Sequence, residues 1–191
     1  EAILQAWYPG QAGGQAVAEV LFGDYNPAGK LPLTFYRNLA QIPDFEDYNM
    51  TGRTYRYMKE TPLFPFGHGL SYTTFKYGKL KMNDDKIAVG QNLNLVIPVT
   101  NTGSRDGDEV VQVYLKKMDD TEGPVKTLRA FKRVRIPAGK TVEVKFSLDD
   151  TQLEWWDEQS NTMRVCPGNY TVMIGGTSCE KSLLSRAFTI R

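Results

Sequence analysis

Cysteine and histidine are almost missing from this sequence, which has two of the first, Cys166 and Cys179, and one of the second, His68, among 191 residues. Structural zinc sites need about four clustered ligands, so no metal is expected, and no cofactor is expected either. The two cysteines flank what reads as one strand and its turn. At roughly 3.3 Å per residue along a strand they stand well beyond the ~7 Å within which a disulfide can close, so both are read as free thiols. Excess charge of either sign is missing too. With 23 basic and 22 acidic residues the net charge is +1, which leaves neither a nucleic-acid footprint nor a polybasic membrane patch. No apolar run approaches the ~20 residues of a membrane span, and Glu1-Ala2-Ile3-Leu4 lacks the charged and apolar regions of a signal peptide. The chain reads as starting mid-element, as a piece of a longer one.

What is present is enough apolar residue, 41%, to build one large domain or one domain and part of another. Ala2-Ile3-Leu4 is a short apolar run; Gly13-Gly14 opens a segment with Val17, Val20 and Leu21 on one helical face. Gly23 stops that helix, and Leu31-Pro32-Leu33-Thr34-Phe35 can extend again. The pattern predicts a strand, a helix and a strand, half of a parallel α/β unit. A Gly-rich loop that opens a helix can cradle phosphate, but the dinucleotide and P-loop spacings are missing, so tight turns and close packing are the reading.

Residues 36–63 show no sustained period and contain Pro43, Gly52 and Pro62, which predicts an ordered connection that wraps a surface. Asp44, Glu46 and Asp47 form an acidic cluster there. A pair of carboxylates is the chemistry of glycoside hydrolysis, but neighbours along a chain do not flank a glycosidic bond, and solvated loop charges are the plainer reading. Arg53, Tyr55 and Arg56 can touch sugar or carboxylates through forked donors and an aromatic face, or make structural ion pairs. Next comes Phe64-Pro65-Phe66-Gly67-His68-Gly69-Leu70-Ser71-Tyr72-Thr73-Thr74-Phe75, where two glycines around the lone histidine make a fixed bend. His68 is a candidate proton shuttle or a hydrogen-bonded structural group.

From Tyr72 onward alternation rules, at Leu93, Leu95, Ile97 and Val99, at Val111, Val113 and Leu115, at Val142, Val144, Phe146 and Leu148, at Tyr170, Val172 and Ile174, and at Phe188 and Ile190. About seven half-buried strands in two sheets are predicted, and the only helix expected lies before residue 23. Trp155-Trp156 offers a sugar-stacking platform or a core-and-lid pair. Tyr170, placed after Pro167-Gly168 and before a strand, is expected to be buried as a corner tyrosine that ties two sheets. Asn49 and Asn169 sit in glycosylation sequons.

Three blocks, in order, resemble glycoside hydrolase family 3. They are Ala6-Trp7-Tyr8-Pro9-Gly10 through Gly29-Lys30-Leu31-Pro32, the junction with Tyr55-Arg56-Tyr57 and Leu63 before it, and Glu109–Tyr114 together with Pro167-Gly168-Asn169-Tyr170 and Gly175-Gly176-Thr177-Ser178. Where members often have two serines and an aspartate, this chain has Ser178-Cys179-Glu180. The resemblance implies a mainly β fold, an immunoglobulin/fibronectin type III-like β-sandwich over residues 65–191, preceded over 1–64 by a short α/β remnant and wrapping linker. It implies a retaining, exo-acting β-glycosidase whose nucleophile, on a (β/α)8 barrel, and acid/base both lie upstream, so that no catalytic residue is expected in this chain. The Gly52–Tyr57 run is more similar to the β-xylosidase branch than to the β-glucosidase branch. The implied partners are the rest of the parent enzyme, its N-terminal barrel and α/β sandwich domain, and an oligosaccharide substrate, with secretion or a periplasmic location. Left without that remainder, the chain is expected to self-associate through residues 1–35 by the face of Ile3, Leu4, Val17, Val20 and Leu21, or to lose residues 1 to about 60 to limited proteolysis while a core from about residue 65 survives. A carbohydrate-binding module and a spacer or adhesion module stay open beside this reading.

Overall fold

In the computed structural model, which describes residues 2–191, the alternating apolar positions of the second half close into two facing sheets. One sheet is built on β4 (Leu93–Asn101), with β1 (Phe75–Tyr77) and β2 (Lys81–Met82) along one edge and β7 (Thr141–Leu148) along the other. The second has the order β3 (Lys86–Ile87), β11 (Leu184–Ile190), β10 (Gly168–Gly175), β5 (Gly107–Lys117) and β6 (Thr127–Ile136). All of its pairs are antiparallel except β3 with β11. A small hairpin of β8 (Trp155–Asp157) and β9 (Thr162–Arg164) caps one end.

Leu93, Leu95, Ile97 and Val99 of β4 and Val144, Phe146 and Leu148 of β7 are buried in one core with Val111, Val113 and Leu115 of β5 and with Val172, Ile174, Phe188 and Ile190 of β10 and β11. Strand residues two apart share a face, which is why the alternation read from the sequence marks the core face directly. Burying one such side chain stabilises by about 1.5–3 kcal/mol. The chain crosses between the sheets after Asn101, a fully buried residue whose amide donates to the carbonyls of Arg105 (2.7 Å) and Ile136 (2.9 Å) and accepts from Thr73 Oγ1 (2.6 Å).

Before residue 75 the chain carries α1 (Gly13–Phe22), ended by Gly23 at φ 85°, a single 3-10 turn at Leu39–Gln41, and one turn of helix, α2 (Thr54–Tyr57). The expectation of a strand at Ala2-Ile3-Leu4 fails, because these residues pair with nothing among the described residues and are exposed; a strand needs a neighbour for its N–H and C=O groups. Phe35 does extend, but in an antiparallel bridge to Phe64 and not in a parallel sheet. The expectation of one helix is also corrected by α2 and by α3 (Asp150–Leu153), a single turn held by a capping box between Asp149 and Gln152.

Candidate functional site

The residues with chemistry fall into three places. The first is the exposed loop of Asp44, Glu46 and Asp47. Asp44 accepts from the Glu46 N–H at 3.0 Å and Asp47 from the Asn49 N–H at 2.9 Å, so two of the three carboxylates cap their own turns. The bonds from Asn49 hold the Asp47 carboxyl below its usual range, the opposite of what a general acid at neutral pH requires. Arg53 does not pair with a carboxylate; it donates to the carbonyls of Asn49, Asp47 and Asp44. The cluster is a braced loop.

The second place is the seam between the first 72 residues and the sandwich, and here are the residues that sequence reasoning missed. Lys30 Nζ lies 3.4 Å from Glu109 Oε2 and donates to the Gly69 carbonyl at 3.1 Å. Tyr77 Oη donates to Glu109 Oε1 at 2.9 Å. Glu109 is 4% exposed. Burial pushes its carboxyl above the usual range, against the pull of Lys30 and of the Tyr77 bond, and burial with the Glu109 charge raises the Tyr77 phenol. Further along β5, Gln112 Nε2 donates to the carbonyls of Gly67 (3.3 Å) and Gly176 (2.6 Å), and Tyr114 Oη donates to Gln112 Oε1. The available signal was a glutamate and a glutamine inside the apolar run Glu109–Leu115, since polar side chains in a central strand must find partners.

Tyr55 stacks on Phe66 with centroids 4.3 Å apart, meets Tyr114 edge-on, and accepts from the Leu128 N–H at 3.2 Å. The Arg56 carbonyl accepts from the Val125 N–H at 2.6 Å, and its guanidinium lies over Tyr57. Arg56 makes no ion pair among the described residues, and its buried Nε has no hydrogen-bond partner there. His68 stacks on Phe64 at 5.2 Å, while its backbone N–H donates to Pro65 and its carbonyl accepts from Leu31; burial and the Lys30 charge lower its pKa. A polar cleft of about 450 Å³ at the edge of this seam is lined by Asp24, Tyr25, Arg105, Asp106, Asp108 and Arg133 among others. Four of its charges are paired with each other, Arg133 with Asp108 at 2.7 Å and Arg135 with Asp106 at 3.3 Å, and Arg105 donates to the Gly23 carbonyl.

The third place is the tryptophan pair, which the structure splits. Trp155 is buried, donates from Nε1 to Asp120 at 2.6 Å and carries the Arg129 guanidinium 5.1 Å above its ring. Trp156 is 51% exposed on the other face of β8. Successive strand residues face opposite ways, so the two rings form core and lid and not one platform. Tyr170 is fully buried, and Cys166 and Cys179 are free thiols. Among the described residues no three His, Cys, Asp or Glu side chains are grouped to hold a metal ion, and no helix is long and apolar enough to cross a membrane.

Across residues 2–50, the Asp44–Asp47 loop included, many large apolar side chains are exposed. Phe22 is 85% and Phe45 93% exposed, and Ile3, Tyr8, Leu21, Leu39 and Tyr48 are exposed with them. Val17 and Val20 are only partly buried.

Comparison with known proteins fits this division. Residues 1–72 match the glycosyl hydrolase family 3 C-terminal domain, and residues 109–178 a fibronectin type III-like domain. A xylan 1,4-β-xylosidase of Xylanibacter ruminicola is 52% identical over 190 residues, all of this chain and 22% of its own length. A periplasmic β-glucosidase of Salmonella typhimurium is 39% identical over 94% of this chain and 25% of its own. Among solved structures, a β-glucosidase from Erythrobacter marinus superposes over 97% of this chain and 24% of its own, with a TM-score of 0.82 and 38% identity. The β-glucosidase 3B of Thermotoga neapolitana gives 0.82 at 33% identity, over 96% of this chain and 27% of its own. The chain thus spans about a quarter of the length of the relatives it matches, and it belongs to glycoside hydrolase family 3, aligning with the C-terminal part of that family's enzymes.

Proposed function

We propose that this chain is the non-catalytic C-terminal portion of a retaining, exo-acting β-glycosidase, of β-xylosidase or β-glucosidase type, that removes terminal β-linked sugars from plant-type oligosaccharides. The observation that carries the reading is the apolar surface of residues 2–50, with Phe22, Phe45 and Tyr8 almost wholly exposed. Apolar patches of this kind mark a contact surface, and the relatives are about four times longer than the aligned stretch. The rest of such a protein is the occupant. Residues 1–64 end its α/β sandwich domain and wrap onward, and residues 65–191 form the fibronectin type III-like domain. Catalytic carboxylates, like any cofactor or metal, are not supplied from here, and the domain serves stability and packing. The name of the Salmonella relative supports a secreted or periplasmic location. Alone, the chain covers its apolar face by self-association through residues 1–35.

The test is a longer chain that includes the upstream sequence. It hydrolyses nitrophenyl β-xyloside or β-glucoside, and deletion of residues 2–191 leaves the remainder insoluble or inactive. A longer chain inert to both glycosides, or one that keeps full activity after the deletion, contradicts the reading.

A further inference from the structure

We propose that residues 24–72 are a strap of the β-sandwich, locked to it by two buried polar clusters, so that the two family-matched regions open and close as one unit and not as two domains joined by a hinge. This holds whatever reaction the longer protein performs.

The outer face of a two-sheet sandwich ordinarily meets solvent. On β5 it does not. Val111, Val113 and Leu115 face the core, yet Gln112 and Tyr114, which point the other way, are 3% and 0% exposed. What covers them comes from before residue 72: the Tyr55 ring, itself stacked on Phe66, meets Tyr114 edge-on, and the Gly67 carbonyl meets the Gln112 amide. Gly67 has φ 77°, and a Cβ there would overlap the Gln112 side chain, so the approach requires glycine. With the strap in place Gln112 donates to Gly67 and Gly176 and accepts from Tyr114. A polar cluster that is fully satisfied in one arrangement only is specific to that arrangement.

The second cluster lies nearer the start of the same strand. Glu109 receives Tyr77 from β1 and Lys30 from the strap, and Lys30 also reaches the Gly69 carbonyl. The strap's two legs are themselves joined, with the Leu31 N–H donating to His68 and the Gly67 N–H to Leu31, both at 2.8 Å. Backbone bonds then run from the sandwich to the strap, from Ser178 to Phe66 at 3.0 Å and from Val125 to Arg56 at 2.6 Å. Asn26 adds the last tie. It donates to the Asp106 carbonyl at 2.9 Å and accepts from Ser71 and from the Tyr72 N–H. These contacts reach the loop into β5, β5 itself, the loop into β6 and the turn after β10, so peeling the strap would uncover one sheet along most of a central strand. The exposed apolar surface of α1 and of residues 39–48 is held in a fixed orientation to the sandwich as a result.

Hydrogen exchange on the intact chain decides it. The amides of Leu31, Gly67 and Arg56's partner Val125 are expected to be protected within about tenfold of the amides of β5 and β10, since members of one cooperative unit open with similar free energies. The variant Gln112→Ala is expected to lower protection in the strap and in β5 together, and Lys30→Met to do the same. Strap amides that exchange more than about a hundredfold faster than those of β5, or variants whose loss of protection is confined to residues 24–72, would overturn the proposal.

Discussion

The Tyr170 hydroxyl donates to the carbonyl oxygen of Cys166, four residues earlier, at 2.7 Å, with the ring fully buried. The ring stacks on Phe188 at 5.5 Å and meets Trp155 edge-on. It fixes the turn Cys166-Pro167-Gly168-Asn169 against the core from which β10 starts. Burial raises the phenol's pKa, so the group stays neutral and keeps its proton for the bond. Tyr170→Ala is expected to cost about 3–5 kcal/mol, as for other large aromatics in cores. Tyr170→Phe, which leaves the Cys166 carbonyl unpaired, is expected to cost about 1–3 kcal/mol. Urea denaturation of the two variants measures both; an unchanged midpoint for Tyr170→Ala would refute the assignment.

The Lys30–Glu109 pair should show the asymmetry of a buried ion pair. Lys30→Met leaves a buried carboxylate without its cation and is expected to cost about 3–5 kcal/mol, while Lys30→Met with Glu109→Leu should recover much of that loss. The Glu109 pKa is raised on folding, so the folded state binds this proton more tightly than the unfolded state. Its contribution to stability is present below the unfolded pKa and is lost as pH rises through the folded one. Against the wild type, Glu109→Gln should therefore gain relative stability as pH climbs from about 4 toward neutrality. A flat difference, or one that falls, would contradict the burial-driven shift.

His68 carries the opposite sign. Its pKa is lowered, first by burial and then by Lys30, so its neutral form contributes stability above the unfolded value, and that contribution is lost as pH falls through the folded value. The proton resonances of its ring should titrate below the 6.5 of an unperturbed histidine. In Lys30→Met the midpoint should move up toward that value. A midpoint at or above 6.5 in the wild type would be inconsistent with the packing on Phe64.

The exposed end of α1 should govern association of the chain on its own. Leu21→Ser with Phe22→Ser removes two of the most exposed apolar side chains without touching a core position. Sedimentation velocity over a range of concentrations should show association in the wild type and less of it in the variant. Equal association in both would place the contact elsewhere.

The sandwich was legible because its core strands alternate. Leu93–Val99 and Val142–Leu148 announce one face of one sheet, and Tyr170–Ile174 the facing one. β6 was not legible: Lys132, Arg133 and Arg135 break its alternation, because it is an edge strand whose outer positions are solvated there, and Arg129 breaks it by turning onto Trp155. Ala2-Ile3-Leu4 looked like a strand by composition, but composition supplies no pairing partner. The candidate sites divide similarly. The core-and-lid role of Trp155 and Trp156 follows from their adjacency on one strand, and the buried ring of Tyr170 from its place before one. The Lys30, Glu109 and Gln112 clusters join residues about 80 and 45 positions apart, a proximity that arises only once the strap has folded back over β5.

The central claim is that these residues contain no glycosidase active site of their own. Retaining hydrolysis needs two carboxyl groups about 5–5.5 Å apart on either side of the bond to be cut, and the only cluster proposed from the sequence, Asp44, Glu46 and Asp47, is an exposed loop that caps its own turns. The direct measurement is release of nitrophenol from nitrophenyl β-xyloside and β-glucoside by the purified 191-residue chain. The account predicts no release above the buffer rate. Steady turnover that persists through purification and is abolished by Asp44→Asn, Glu46→Gln or Asp47→Asn would contradict it.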